Sequence, residues 1–427
     1  MNQISEKIRK LFNTGFFHIF GSSVVNKVIT FMSSVVLVRI LSKVEYGGFT
    51  YAWNIYSIIL LLNGMGMDSA VLQLASEKSG NVKYGRNISR YGIKFGLRFD
   101  AILSLLILGI GFFAPLKIAK AKNLLPVLAF LPQLQLVYQI STASLRSQKR
   151  NKEFARLSVI NTALVFIFSV LLAFLFREKG LIVSYYFSYL LSSIVGLRFC
   201  GYKVTDNRSN AITKEDRSIL LKIAFISMVN NSLSQLMYLL DIFVLGIVDP
   251  RETILASYKV ASMIPSALTF IPVALVTYIY PYFAEHNQNG EWCLKKYKQV
   301  LLGLGILNFI VSGILFLGAP LVIRLLYGIE YLDAVPVFRI LSLNYFISGT
   351  FRTLSGNLLV TQRKLRFNLL VAIISSSTNI IADFFFVQKW GAMGAAYATV
   401  LVVVVSSILS TTYLIKTFKS KLYNSNT

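Results

Sequence analysis

Charge is scarce in this chain. Only 14% of its 427 residues are charged, and just 18 are acidic, where a soluble domain carries roughly a quarter charged residues. That shortage excludes an ordinary water-facing surface. Cysteine is limited to Cys200 and Cys293, both near expected membrane edges, which excludes a disulfide framework. His18 and His286 have no companions at ligand spacing, so no metal site is expected and no cofactor is implied. A glycine-rich phosphate loop is missing. So is any nucleophile–base or paired-acid spacing of a catalytic kind, and no loop is long enough for a folded extramembrane domain. The expectation is a protein that is not an enzyme.

What the chain has instead is apolar length. Hydrophobic residues make up 55% of it, in runs that each suffice, at roughly 20 residues, to cross the hydrocarbon core as a helix. Alternating barrel-type strands are absent, leaving helices as the way to satisfy backbone in lipid. Spans are placed at 16–38, 46–67, 91–113, 124–144, 155–176, 181–199, 219–247, 254–283, 299–317, 334–354, 367–387 and 391–415. The fold class is thus an all-α polytopic membrane protein of about twelve transmembrane helices. The first span follows Glu6, Lys7, Arg9 and Lys10 and is too long for a signal-peptide core, so it reads as a retained anchor.

The net charge of +25 is distributed as topology demands. One set of loops holds Lys7, Arg9 and Lys10, then Lys78, Lys83, Arg86 and Arg90, then Arg146, Lys149, Arg150, Lys152 and Arg156. The same side continues with Arg198, Lys203, Arg208, Lys214 and Arg217, with Lys295, Lys296 and Lys298, with Arg352, Arg363, Lys364 and Arg366, and with the tail. The other side is far poorer in cations. By the positive-inside rule both termini are expected in the cytoplasm. The basicity orients the chain and attracts anionic lipid; nucleic acid is not an expected partner.

The polar stretch GYKVTDNRSNAITKEDRS separates six spans from six. It divides the chain into an N-terminal half (1–200), a cytoplasmic linker (201–218) and a C-terminal half (219–427). The halves echo each other: SQKRNKEFARLSVINTALVFIF at 147–168 matches TQRKLRFNLLVAIISSSTNIIA at 361–382. Each match is followed by a turn, Lys179-Gly180 in one case and Trp390-Gly391 in the other. An even number of spans per half gives both repeats one orientation, as in parallel-repeat transporters, whose substrate path lies between the halves.

Three segments carry a family resemblance: RILSKVEYGGF after the first span, LLYGIEYLDAVPVFRIL at 325–341 and GAMGAAYATVL at 391–401. In this order and spacing the chain resembles the polysaccharide (O-antigen type) flippases of the multidrug/oligosaccharidyl-lipid/polysaccharide exporter superfamily. The resemblance implies two pseudo-symmetric six-helix halves around a central cavity. It implies a polyprenyl-pyrophosphate-linked oligosaccharide as substrate, for O-antigen or capsule synthesis, and contact with polysaccharide polymerase and chain-length machinery. Related lipid II flippases place basic residues in the cavity from the first helix of each half or nearby. Lys27 and Lys259 fit that pattern, whereas the second span has no membrane-embedded cation.

Several residues are candidates for substrate contact. Ser23, Lys27, Thr30 and Ser34 share one helix face. Lys27 lies about 16 Å inside at 1.5 Å per residue, where a charge costs roughly 2.5–3.5 kcal/mol or more. It either meets the pyrophosphate or pairs with an acid of another helix. Asn231, Gln235 and Asp241 line the seventh span, and Lys259 lies on the eighth. They suit a sugar-binding wall, or else Asp241 and Lys259 form an ion pair. Arg339 either binds ligand or pairs with Asp383, and Arg39 contacts headgroups or gates the cavity. Lys94 and Arg98 are read as snorkelling. The leading function is therefore translocation of a lipid-linked oligosaccharide by alternating access. A cation-coupled multidrug exporter of the same superfamily, using Asp241 or Asp383, is the nearest rival. A membrane polymerase or glycosyltransferase ranks third, for want of a large outer loop.

Overall fold

The computed structural model describes residues 16–78, 80–201 and 212–426. The expected loop cations Lys7, Arg9, Lys10, Lys203 and Arg208 lie outside the described residues. All described regular structure is helical. Eight helical stretches are long and apolar enough to cross a membrane, ten when two bent pairs are each counted as one span. Two helices of 49 and 62 residues each hold two spans, which brings the total to about twelve. The chain divides into two compact units, Met1–Leu236 and Met237–Thr427.

In the first unit the described elements are α1 (Phe16–Ile40), α2 (Lys43–Leu60), α3 (Met67–Glu77), α4 (Val82–Phe113), the short α5 (Ala119–Leu124), α6 (Leu131–Ser147) and α7 (Asn151–Phe199). The next helix, α8 (Lys214–Val248), runs across the boundary between the units. The core of this unit is Met67, Val71 and Leu74 of α3 packed on Ile88, Leu136, Ile140 and Leu220. Large apolar side chains face outward, Phe113 being 88% exposed. On a helix of spanning length that is a lipid-facing surface.

The turn between α1 and α2 has a local cause. Ser42 accepts from the Glu45 amide (3.3 Å) and Glu45 accepts from the Ser42 amide (2.8 Å), a capping box that closes the start of α2. Three residues on from Glu45, a Cβ on Gly48 would sit 2.6 Å from Lys120 Cβ of α5. Arg177 donates to the Ile40 carbonyl at 2.7 Å, capping the end of α1 from α7.

Between α2 and α3 the chain leaves the helix. Gly64, Met65 and Gly66 all have positive φ (53°, 53° and 74°). The break is held by Asp100 of α4, whose carboxylate accepts the Gly64 amide at 2.7 Å and is wholly buried.

The second unit contains α9 (Glu252–Leu268), α10 (Phe270–Glu285), α11 (Gly290–Leu326), α12 (Val335–Ile347), a π turn (Ser348–Arg352), α13 (Thr353–Thr361) and α14 (Leu365–Asn426). Its core joins Phe283, Tyr297 and Leu304 to Leu354, Leu358, Leu414 and Phe418.

The internal repeat is visible in the two long helices. α7 breaks at Arg177 (φ 54°, ψ −138°) and α14 at Gly391 (φ 55°, ψ −131°). Three residues on, a Cβ at Gly180 would overlap the Leu172 carbonyl, and one at Gly394 would overlap that of Phe386. The matched residues keep the register of the sequence repeat. The turn expected at Lys179-Gly180 therefore centres on Arg177, three residues earlier, because Gly180 serves close packing and Arg177 takes the positive φ.

Gly66→Ala is expected to lower the melting midpoint of the detergent-solubilised protein. The new Cβ meets the Ala224 carbonyl oxygen at 2.6 Å in a backbone that disfavours it, together costing on the order of 2 kcal/mol or more. Gly80→Ala, with nothing within 4 Å, serves as control. Equal midpoints for the two variants would show that the break tolerates a side chain.

Candidate functional site

Within the second unit lies a cavity of about 550 Å³, inside the roughly 300–1,000 Å³ range of small-ligand sites. Asp241 at the end of α8, Tyr258 and Lys259 of α9, Asn344 of α12, Arg352 of the π turn and Thr399 of α14 all line it.

One wall is acidic. Asp241 Oδ2 accepts from Tyr258 Oη (2.6 Å) and from Thr399 Oγ1 (2.7 Å). Asp383, wholly buried, accepts from Asn379 Nδ2 at 3.1 Å. The two carboxyls are close enough to act on each other electrostatically. Asp241 Oδ1, Asp383 Oδ1 and Asn379 Oδ1 have no hydrogen-bond partner. Two adjacent carboxylates buried away from water cannot both stay charged without compensation. The set supplies oxygen donors alone, which suit a proton or a hard cation and not a soft metal. Among the described residues no group of three or more His, Cys, Asp or Glu could hold a metal ion.

The alternative of an Asp241–Lys259 ion pair is not what the structure shows. Hydroxyls of Tyr258 and Thr399 occupy Asp241, and Lys259, on the residue after Tyr258, lines the cavity with no ion pair among the described residues. Nor does Arg339 pair with Asp383. Its Nε donates to the Phe316 carbonyl (3.2 Å) and its guanidinium lies over the Phe316 ring at 5.5 Å, so it is committed to α11 and does not line the cavity. Outside the spans, Arg251 grips Asp249 through two contacts of 2.7 and 2.6 Å, holding that carboxyl below its usual range.

The remaining candidates belong to the first unit. Lys27 is exposed on α1 beside exposed Ser23 and Thr30, while Asn26 turns to α7 and donates to Ser158 Oγ at 2.6 Å. Arg39 is exposed in the last turn of α1. Asn231 and Gln235 are exposed on the part of α8 that precedes the unit boundary, and Asn231 makes a long 3.5 Å contact with Ser69. The cavity thus gathers Asp241 and Lys259 and leaves the others out.

Sequence reasoning missed Tyr258, Asn379, Thr399 and Arg352. Asn379 and Asp383 were legible in part, since an amide and an acid four residues apart share a helix face. Arg352 was counted with the loop cations at a span edge. It lies instead within the continuous π turn and α13, which run on to Thr361, about 13 Å before that helix ends.

The comparisons with known proteins fit this architecture. Residues 36–336 match the family model described as polysaccharide biosynthesis protein. The chain belongs to that family. An uncharacterized membrane protein of Methanocaldococcus jannaschii is 24% identical over 281 residues, covering 62% of this chain and 54% of that relative, so the match spans about half of its length. Among solved structures, an inward-facing multidrug resistance MATE family transporter of the MOP superfamily aligns with TM-score 0.76 at 13% identity, over 93% of this chain and 96% of its own. The lipid II flippase MurJ, in an inward closed conformation, aligns with TM-score 0.67 at 17% identity, over 95% and 90%. A MOP superfamily transporter from Pyrococcus furiosus, whose description notes a binding pocket of reversed polarity, gives TM-score 0.59 at 15% identity, over 95% and 96%. The chain is a multi-pass membrane protein with the fold of these transporter and flippase structures.

Thr399→Val removes one of the two hydroxyl donors to Asp241 while keeping shape. Leaving a buried acceptor short of a partner costs about 1–3 kcal/mol, so the melting midpoint should fall. An unchanged midpoint would mean that Thr399 is not a structural partner of the acid.

Proposed function

We propose that this protein moves a polyprenyl-pyrophosphate-linked oligosaccharide across a bacterial cytoplasmic membrane by alternating access of its two halves, 1–200 and 219–427, joined by the 201–218 linker, with both termini cytoplasmic. The observation that carries the reading is Lys27. It is a cation on the exposed polar face of a spanning helix, with no ion pair among the described residues, in a chain of the polysaccharide biosynthesis family. An ammonium at that depth with no acid beside it is costly in lipid and is compensated by an anionic headgroup. Lys259 presents a second such cation in the other unit. The fold shared with a lipid II flippase supports a lipid-linked glycan as cargo. Export of negative charge runs with an inside-negative potential, at about 2.3 kcal/mol per charge per 100 mV. O-antigen or capsule units are the glycans this reading favours, with polymerase and chain-length proteins as downstream partners.

The acid pair favours a second reading, a cation-coupled exporter of the same superfamily. Asp241 and Asp383 would then take up Na⁺ or a proton in each cycle, and the cargo would be a drug-like cation.

Lys27→Ala and Lys27→Glu separate the two. Under the flippase reading both abolish surface glycan while the protein stays at normal membrane levels, and Lys27→Arg keeps most of it. Undiminished glycan in Lys27→Glu cells, alongside loss of drug efflux in Asp383→Asn cells, would sink the first reading and support the second.

A further inference from the structure

Arg352 and Lys259 line one cavity, yet they are far apart along it. Ser257 of α9 donates to Asp333 at the entry to α12 (2.8 Å), and Gly349 lies against Pro272 of α10, where an added Cβ would stand 3.2 Å from its ring. The stretch α9–α10 therefore runs alongside α12, the π turn and α13 in the same direction, with 257 level with 333 and 272 level with 349. Lys259 falls near the 333 level and Arg352 beyond the 349 level. At 1.5 Å per residue the two positions are roughly 25 Å apart along the helices. No single diphosphate bridges that distance.

Between them the cavity wall is polar and regular. Ser262, Ser266 and Thr269 follow Lys259 on one face of α9, and Asn344 and Ser348 precede Arg352 at helical spacing. Asn344 Oδ1 is buried with no partner, and Ser266 and Thr269 are exposed toward open space. Neither cation is neutralised. Arg352, like Lys259, forms no ion pair among the described residues. A guanidinium presents a planar fork suited to phosphate oxygens, whereas an ammonium binds as a point charge. The π turn that carries Arg352 is a rare geometry that frequently marks functional sites.

We propose that this groove of the second unit is a two-station path for an anionic headgroup, with Arg352 as the station nearer Thr361 and Lys259 as the station nearer the 329–334 turn. Ser262 and Thr269 donate to the Lys259 and Ser266 carbonyls and so accept from sugar hydroxyls, as does Asn344 Oδ1, while Ser266 and Ser348 donate to sugar or phosphate oxygens as the group passes. Arg352 is a binding residue of this path, distinct from Lys27 of the first unit. The proposal rests on the lipid-linked glycan reading, with the cytoplasm on the Arg352 side. The acid pair by Lys259 explains why a second cation is needed away from it: a diphosphate is repelled where Asp241 stands and is held more firmly at the Arg352 end.

The test titrates inorganic pyrophosphate into the purified full chain at low salt by calorimetry, in a Lys27→Ala background so that the first unit does not contribute. Two binding steps per chain are expected. Arg352→Ala should weaken the tighter step at least tenfold and leave the other in place, Arg352→Lys should restore part of it, and Lys259→Ala should remove the weaker step. The double variant should bind none. A melting midpoint equal to the parent's shows that each variant is folded, and Arg352→Gln substitutes if the alanine variant is not. A double variant that titrates like the parent overturns the proposal, as does an Arg352→Ala protein that loses both steps together, which would mean a single site. This titration is blind to the cargo: a chain carrying some other anion still shows both steps, and fails only the glycan-export measurement.

Discussion

Backbone that leaves the helix inside hydrocarbon must find its hydrogen bonds within the protein, because no water is there to supply them. Each interruption in this chain is built around that constraint. The Gly64–Gly66 break is held by the Asp100 carboxylate. The end of α1 is met by the Arg177 side chain, and the start of α2 by a capping box. Along the wall of the second unit's cavity, the helix widens into a π turn and stays hydrogen-bonded. Polar and charged groups therefore concentrate at the breaks, and the breaks are where chemistry can be offered to a ligand.

This explains what the family-like segments are. RILSKVEYGGF is a capping box followed by a glycine that lets α5 approach. In LLYGIEYLDAVPVFRIL, Gly328 takes φ 106° to end α11, and Pro336 opens α12. In GAMGAAYATVL, Gly391 makes the turn and Gly394 the close contact. The resemblance was carried by turns and not by substrate-binding side chains, which is why it speaks to the fold and not to the site.

Span number, the register of the repeat and the class of protein were legible, because hydropathy and turn glycines report directly on lipid and backbone. That Asp241 and Lys259 share a cavity followed from their closeness across a short loop. Their failure to pair did not, since pairing depends on the rotation of each helix about its axis, and Tyr258 and Thr399 reach Asp241 first. Arg339 sits on a face turned toward Phe316, a matter of packing between α11 and α12. Arg352 was hidden by its sequence neighbours, which read like the edge of a loop until the helix is seen to continue.

The register shared by α7 and α14 has a consequence for the acid pair. At the shift that matches Arg177 with Gly391, Asp383 corresponds to Ser169 and Thr399 to Tyr185. In the first unit Ser169 simply shares a hydrogen bond with Ser184 at 2.9 Å, and both are buried. The molecule thus carries its own natural variant of the site: one copy of the hairpin folds with a serine where the other keeps a buried carboxyl. The hairpin's architecture does not require the acid: the same turn and close contact form with a buried serine in its place.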